Sequence, residues 1–291
     1  MSEETLVIIG NGFDVGHGLP SKFSDFKDWM RKNNASLYET LNRYMDISGD
    51  WWNDFEGNLA EFNVPKIVNE APRDSSPRDR KYPPSLTYPA SDYFRSLRKL
   101  ISDSFVEWAS SLTCESAKPF VELPLADLYV SFNYTDTLER LYGIPEEKIL
   151  YIHGKALRGD DIIFGHGKNH FELEHDVKEK YGLYESNDFY VPGTYGDAEY
   201  QLTIEISFFD KFPYTQLVKY DSILAPAVAR ATMIWVYGFS FSDVDFQYIE
   251  WMVDHNPNLN WKVSWHNEID KKQILKTFRA LGVRDYEVFQ V

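Results

Sequence analysis

The segment that most limits the fold lies at the N-terminus, where four consecutive apolar residues, Leu6–Ile9, precede Gly10-Asn11-Gly12. A short run rich in Val and Ile is typical of a strand buried on both faces, as in parallel sheets covered by helices. Glycines after such a strand allow the backbone to approach a nucleotide, and a following helix favours negative charge. The segment predicts an α/β protein with a ligand site at this strand end. A plain tight turn stays open, because the glycine spacing differs from the usual dinucleotide fingerprint.

Other apolar runs predict the remaining strands, at 127–132, 148–152, 161–164, 233–237, 261–265 and 286–289. Helical periodicity separates the last three, and strand–helix–strand–helix–strand is the doubly wound pattern with right-handed crossovers. We therefore predict a single Rossmann-like α/β domain over residues 1–291, with a mainly parallel sheet.

Two long stretches interrupt this alternation. Residues 20–125 contain apolar residues at helical spacing and a proline-rich loop at 72–90, so we predict a helical insertion. Residues 169–219 mix charged and aromatic residues around Pro192-Gly193, and we predict a lid or a further insertion there.

The charge of the chain limits its partners. It has 30 Lys and Arg residues against 45 Asp and Glu residues, a formal net charge of −15 over 291 residues. Such an acidic surface disfavours a nucleic-acid groove, a nuclease or an anionic membrane as the main partner. A small phosphorylated ligand stays compatible, because a few backbone amides can bind it locally.

Several site types are disfavoured by the residues that are missing. The single cysteine, Cys114, cannot form an internal disulfide or a structural zinc site. His166, His170 and His175 lack the spacing and the carboxylate partner of a metal site, so we expect no metal. There is no signal-type segment and no apolar run of about 20 residues, so we expect a soluble, cytoplasmic protein.

Polar residues follow three of the predicted strands: Asn133, His153 and the segment Gly238-Phe239-Ser240. Ligands of open α/β sheets bind at the carboxyl ends of the strands, so we expect these residues to line one cleft with Gly10 and Asn11. A histidine there is a candidate general base because of its near-neutral pKa. Structural roles stay open for all three: a loop asparagine, a satisfied histidine and a helix-capping loop. Glu56, among aromatic residues, is either a further site candidate or part of a solvated face.

In combination these segments resemble the bacteriophage abortive infection AbiH family. The resemblance spans residues 6 to about 255 and is carried by four segments: Ile9–Asp14 with His17–Pro20, Phe132–Glu139, Tyr151–Gly154 and Tyr237–Asp245. It implies a role in phage defence by abortive infection.

That family is in turn similar to the sirtuin-like NAD-binding fold. The similarity implies a phosphate loop at Gly10, Asn11, Gly12, Phe13 and Asp14. It also implies a ribose-side Asn133, a catalytic His153, and an adenosine-ribose segment at Gly238, Ser240 and Phe241. The chain departs from the sirtuin pattern in three ways. Thr135 stands where an aspartate is usual, with Asp136 one position later; Asn11 and Asp14 are unusual in the first loop; and the zinc-binding cysteines are missing, which argues against protein deacetylation.

The resemblance thus implies an enzyme that binds NAD or a related nucleotide and hydrolyses NAD to nicotinamide and ADP-ribose. Asn133 would position water or ribose, His153 would accept a proton, and Asp14 or Glu56 would stabilise positive charge on the sugar. The alternative is a non-catalytic nucleotide-sensing or partner-binding module. A second copy of this chain and a phage-derived trigger both stay open as partners.

Overall fold

The computed structural model describes residues 4–71, 87–114, 117–181, 195–242 and 245–291. The chain forms two compact units. The first unit contains residues 1–22, 107–162 and 212–291, and the second contains residues 23–106 and 163–211. No helix in the described part of the chain is long and apolar enough to cross a membrane.

The first unit is built on a six-stranded sheet, in the order β3-β2-β1-β4-β5-β6. Its strands are β1 (Thr5–Ile9), β2 (Leu128–Ser131), β3 (Ile149–Tyr151), β4 (Met233–Tyr237), β5 (Asn260–Trp265) and β6 (Tyr286–Gln290). All neighbouring strands are parallel. The prediction of a Rossmann-like parallel sheet is confirmed.

β1 lies inside this sheet, with β2 on one side and β4 on the other. Leu6 and Ile8 pack into one apolar core, whereas Val7 and Ile9 pack into a second core. Because successive side chains of a strand point to opposite faces, both faces of β1 are covered. Burial on both faces explains the unbroken apolar run that begins the chain.

The α-helices of the described residues are α1 (Asn11–Gly16), α2 (Phe23–Asn33), α3 (Ala35–Tyr44), α4 (Phe55–Asn58), α5 (Val64–Glu70), α6 (Thr87–Ser111), α7 (Thr137–Tyr142), α8 (His170–Tyr181), α9 (Tyr195–Ser207), α10 (Pro213–Arg230), α11 (Phe246–His255) and α12 (Glu268–Ala280). The first of them corrects the sequence interpretation. We expected a glycine turn between β1 and the next helix, but α1 begins directly after Gly10. The glycines are therefore part of a strand-to-helix junction.

The predicted strand at 161–164 is wrong, because the structure contains no strand there. Phe164 belongs to the second unit, where its ring stacks on Phe105 at 4.3 Å and on Phe55 at 6.2 Å between centroids. Its apolar character thus reflects an aromatic core between helices. A short apolar run does not distinguish this kind of burial from a buried strand.

The stretch predicted as a lid or insertion contains two helices of the second unit, α8 and α9, and part of α10 in the first unit. Pro192-Gly193, at the centre of that prediction, lies outside the described residues. α10 begins at Pro213, and proline is well suited to the first turn of a helix.

Candidate functional site

The register of the sheet aligns the ends of four strands. The last residues in this aligned row are Ile9, Ser131, Tyr151 and Tyr237. Two positions further along the chain stand Asn11, Asn133, His153 and Phe239. The strand order reverses between β1 and β4, and ligands of open α/β sheets bind outside the carboxyl ends of the strands at such a switch point. The sheet thus brings Asn11, Asn133 and His153 to the edge where a ligand site is expected.

Three glycines hold the β1–α1 junction against the end of β4. A Cβ atom on Gly10 would lie 2.6 Å from the carbonyl oxygen of Gly238, and one on Gly12 would lie 2.8 Å from the Cα of Gly238. Gly238 itself has a φ angle of +61°, which favours glycine. These glycines are needed for backbone packing in the protein alone.

The backbone amides at the start of α1 already have partners. Gly10 donates to the carbonyl of Tyr237 at 2.9 Å, Gly12 to Gly238 at 2.8 Å, and Phe13 to Gly10 at 2.9 Å. The side-chain amide of Asn11 donates to the carbonyl of Ser21 at 2.9 Å. In this conformation those three backbone amides are not available to a phosphate group.

Phe13 belongs to the core beneath this junction. It is buried, and its ring packs against His17 at 4.5 Å and against Tyr142 at 5.5 Å between centroids. His17 Nδ1 lies 2.7 Å from the carbonyl oxygen of Phe13, and Nε2 lies 2.9 Å from the Tyr142 hydroxyl. Burial lowers the pKa of His17, which favours the neutral imidazole. The geometry gives Phe13 and His17 structural roles.

Asp14 is a buried carboxyl group at this edge, with 1% of its surface exposed. The Thr135 hydroxyl donates a hydrogen bond to Asp14 Oδ2 at 2.6 Å, while Oδ1 makes no hydrogen bond to the described residues. Burial raises the pKa of Asp14 to about 6, although the neighbouring Thr135, Thr137 and Asn133 side chains each lower it. Asp14 therefore changes charge near neutral pH.

Asn133 lies beside this carboxyl group and is 4% exposed. Its backbone amide donates to Ser131 Oγ at 3.2 Å. Its side-chain Oδ1 and Nδ2 have no hydrogen-bond partner of standard geometry in the described part of the chain, yet the amide is near enough to favour the charged form of Asp14. We refer to Asp14, Asn133, Thr135 and Thr137 as the Asp14 cluster.

Asp136 lies between Thr135 and Thr137 and is the residue directly before α7, although its side chain does not cap the helix. Its carboxylate forms an ion pair with Arg140 at 2.5 Å instead. The hydroxyl of Thr135 is directed to Asp14 and Thr137.

His153 is completely buried. Its Nε2 lies 3.5 Å from the Tyr248 hydroxyl, and its ring packs edge-to-face against Phe132 with 5.3 Å between centroids. Tyr134 lies 6.4 Å away by the same measure. The imidazole thus follows β3 at the carboxyl edge but is shielded from bulk water.

The segment after β4 divides into an exposed and a buried part. Ser240 is exposed, and its Oγ accepts a hydrogen bond from the Ser242 amide at 3.4 Å. Phe241 is buried and packs against Phe278 with 5.8 Å between centroids. Its φ angle of +52° is unusual for a bulky residue and indicates local backbone strain. Ser240 is accessible to a ligand, whereas Phe241 belongs to the core.

Glu56 lies in the second unit. It forms an ion pair with Lys211 at 3.1 Å, with side-chain exposures of 15% for Glu56 and 8% for Lys211. It is therefore a partly buried member of an ion pair, which the sequence interpretation did not consider. Among the residues that the structure describes, no group of three or more His, Cys, Asp or Glu side chains is arranged to hold a metal ion.

The contact between Thr135 and Asp14, and the presence of Thr137 beside it, were missed from the sequence. The two threonines alternate with Asp136, which alone indicates only a helix start. Their carboxyl partner lies 121 positions earlier in the chain, so no local pattern connects them. Only the pairing of β1 with β2 brings them together.

The comparisons with known proteins agree with the motifs. The family model "Bacteriophage abortive infection AbiH" matches residues 6–265, from the start of β1 to the end of β5. No curated protein matches the chain. The matched region contains the whole Asp14 cluster, His153 and the β1–α1 junction. The chain belongs to the bacteriophage abortive infection AbiH family, which implies a role in phage defence by abortive infection.

Proposed function

We propose that this protein takes part in abortive infection by binding NAD or a related nucleotide at the carboxyl edge of its sheet and hydrolysing the bond between nicotinamide and ribose. The observation that carries the proposal is the row formed by Asn11, Asn133 and His153 next to the β1/β4 switch point. Nucleotides bind at this place in open α/β sheets.

The Asp14 cluster supports a sugar-directed reaction. Thr135 stands where the sirtuin pattern has an aspartate, and its hydroxyl donates to Asp14, so a carboxyl group lies beside this position although Thr135 carries none. Carboxylates stabilise the positive charge that develops on a sugar ring when a glycosidic bond breaks. Asn133, with unpartnered polar atoms in the described chain, can orient a ribose hydroxyl or a water molecule.

In the proposed reaction, water adds to C1′ of the ribose while the bond from C1′ to nicotinamide breaks. Nicotinamide leaves as a neutral molecule with the bonding electron pair, and the proton lost by water passes to His153. A general base of this kind contributes roughly 10²–10⁴-fold to the rate. Since His153 is fully buried, proton transfer to it needs a ligand or a water molecule that enters the edge of the sheet.

The burial of His153 and the occupied amides of Gly10, Gly12 and Phe13 favour one alternative, a nucleotide sensor without turnover. In that case ligand binding changes the conformation of the edge and signals infection to a partner. The two candidates share the ligand site at the carboxyl edge of the sheet and differ in product release.

The test is nicotinamide release from NAD by the purified protein, with and without lysate of phage-infected cells, together with equilibrium binding of NAD. Release that depends on the protein supports the enzyme. Saturable binding without release under either condition supports the sensor, and the absence of both contradicts the proposed function.

A further inference from the structure

Two helices of the first unit, α11 and α12, lie side by side on one face of the sheet. They connect β4 to β5 and β5 to β6, which are adjacent strands. Both pack on the same apolar core, to which α11 contributes Ile249 and Met252 and α12 contributes Ile274 and Phe278. Because each helix buries this side, its opposite side faces away from the sheet. The two outer sides therefore form one surface of the first unit.

This surface carries opposite charges on its two helices. Glu250 and Asp254 are exposed one turn apart on α11 and form what we call the acidic stripe. The basic stripe on α12 consists of the exposed Lys272, Lys276 and Arg279. No ion pair within the described part of the chain includes any of these five side chains; the pair within α12 joins Lys271 to Glu268 at 4.0 Å.

The charge pattern is unfavourable for each helix by itself. Like charges four residues apart repel each other and destabilise a helix, whereas opposite charges at that spacing stabilise it. α6 shows the favourable arrangement, with Lys99 Nζ 2.6 Å from the carboxylate of Asp103. An opposite charge from outside the chain would relieve the repulsion within both stripes.

The two stripes also match in position along their helices. Both helices begin near the carboxyl edge of the sheet, since α11 follows β4 and α12 follows β5. Glu250 and Lys272 are the fifth residues of their helices, and Asp254 and Lys276 are the ninth. The two charges of each stripe are thus about 6 Å apart along the helix axis. An acidic stripe placed on a basic stripe, with the two helices parallel, forms both ion pairs at once.

We propose that this chain forms a two-fold symmetric dimer through this surface, with the acidic stripe of each copy on the basic stripe of the other. A two-fold interface must be self-complementary. A two-fold axis that runs between α11 and α12, parallel to both, places α11 of one copy on α12 of the other, and the reverse contact forms with the same geometry. The occupant of the surface is a second copy of the chain.

The mixture of charges disfavours other occupants. A nucleic acid or an anionic membrane would be attracted by the basic stripe but repelled by the acidic stripe beside it. A second copy carries both signs in the required order. Ile269, on the same face of α12 as Lys272 and 79% exposed, adds an apolar contact.

The size of the surface sets the strength of the dimer. α11 has 10 residues and α12 has 13, so they are about 15 and 20 Å long. With helix axes about 10 Å apart, the two-helix patch covers roughly 400 Å² per copy. That is about half of the roughly 800 Å² per partner of a standard stable interface. The dimer is therefore weak and exchanges with the monomer at micromolar concentration.

Sedimentation velocity of the full chain tests the dimer, at protein concentrations between about 5 and 200 µM. We expect a monomer–dimer equilibrium at about 50 mM NaCl. The dissociation constant should be at least about tenfold higher at about 500 mM NaCl, because salt screens exposed charges.

Charge reversal tests the arrangement of the stripes. The double variant Glu250→Lys/Asp254→Lys carries only positive stripes, and Lys272→Glu/Lys276→Glu carries only negative ones. Each variant alone should dimerise at least about tenfold more weakly than wild type, because like charges then face each other. An equimolar mixture of the two should form a heterodimer at low salt, because every contact then joins opposite charges.

The matched control is Glu107→Lys/Glu147→Lys, which reverses two exposed acidic residues of the first unit outside α11 and α12. It changes the net charge by the same amount as Glu250→Lys/Asp254→Lys. The control should keep the dissociation constant of wild type within about threefold. Circular dichroism verifies that all variants are folded.

Wild-type protein that stays monomeric at about 200 µM and low salt overturns the inference, and leaves the stripes to solvent or to a different partner. A dimer that either double variant leaves unchanged, or a mixture of the two variants without heterodimer, also overturns it. If one double variant fails to fold, the other variant and the salt dependence of wild type decide the outcome. Nicotinamide release is measured separately, so the proposed function stands or falls independently.

Discussion

The backbone amide of Gly12 donates a hydrogen bond to the carbonyl oxygen of Gly238 at 2.8 Å. This contact joins the first turn of α1 to the end of β4, and neither residue leaves space for a side chain at the junction. Gly12, which belongs to the motif most suggestive of a ligand loop, thus helps to hold the β1/β4 switch point together. A substitution there changes the fold before it changes ligand binding.

Gly238→Ala should severely destabilise the first unit. Its Cβ would lie 2.1 Å from the Phe13 amide nitrogen, and its φ angle is +61°. Gly143→Ala is the matched control, because Gly143 has a φ angle of +64° and open space around its Cβ position. Urea unfolding should show a loss of about 1–2 kcal/mol for the control, from left-handed strain alone, and at least twice that loss for Gly238→Ala. Equal losses would show that the junction can relax.

Asp14→Asn should stabilise the protein at neutral pH. Burial raises the pKa of Asp14 from 3.8 to about 6 in the folded state, so the folded protein binds this proton more tightly than the unfolded chain does. Protonated Asp14 therefore contributes to the free energy of unfolding fully below pH 3.8, and this contribution is lost as the pH rises through about 6. At pH 7.5 the cost is about 3 kcal/mol, which Asp14→Asn removes if the new oxygen still accepts from Thr135. Urea unfolding between pH 4 and 8 measures the difference, and an Asp14→Asn curve parallel to wild type would contradict it.

His166 in the second unit should change the pH dependence of stability in the direction opposite to that of Asp14. Its Nε2 donates to the Ile206 carbonyl at 3.1 Å and its Nδ1 accepts from the Lys168 amide at 3.1 Å, so both nitrogens are used by the neutral ring. Burial lowers the pKa of His166 from 6.5 to about 4. Neutral His166 contributes about 3 kcal/mol to the free energy of unfolding above pH 6.5, and this contribution is lost as the pH falls toward 4.

His166→Leu should therefore be less stable than wild type at pH 7.5 but should lose less stability on acidification. The exposed His175, changed to alanine, serves as the control from the same unit. Because Asp14 and His166 act in overlapping pH ranges with opposite signs, each effect is measured as the difference between variant and wild type. A His166→Leu protein with the acid sensitivity of wild type would refute the assignment.

Asn133→Ala and His153→Ala should each abolish nicotinamide release if the protein is an enzyme, and at least one of them should retain NAD binding. A general base affects the rate strongly and contributes little to ground-state affinity. His255→Ala is the control, because this exposed histidine at the end of α11 lies outside the cluster. Phage protection that survives both site substitutions would favour the sensor.

The sheet could be predicted from the sequence because its strands carry unbroken apolar runs, and only covered parallel strands need apolar residues on both faces. The boundaries of β4 agree with the prediction to the residue. Phe164 was misassigned because its neighbours Phe55 and Phe105 come from distant helices, which no local pattern reveals. The alignment of Asn133 and His153 could be expected because each residue follows a strand that was predicted from the sequence. The bond from Thr135 to Asp14 could not, since it depends on side-chain positions across two strand ends.

The position of β1 has a consequence for how the chain acquires its structure. β1 pairs with Leu128–Ser131 and with Met233–Tyr237, so its second partner is synthesised long after β1 itself. Pairing between such distant segments must first overcome the entropy of closing a long loop, which makes folding slow. The apolar Leu6–Ile9 segment therefore stays without its full set of partners until β4 has been synthesised. An interrupted translation product that lacks β4 cannot build the switch point.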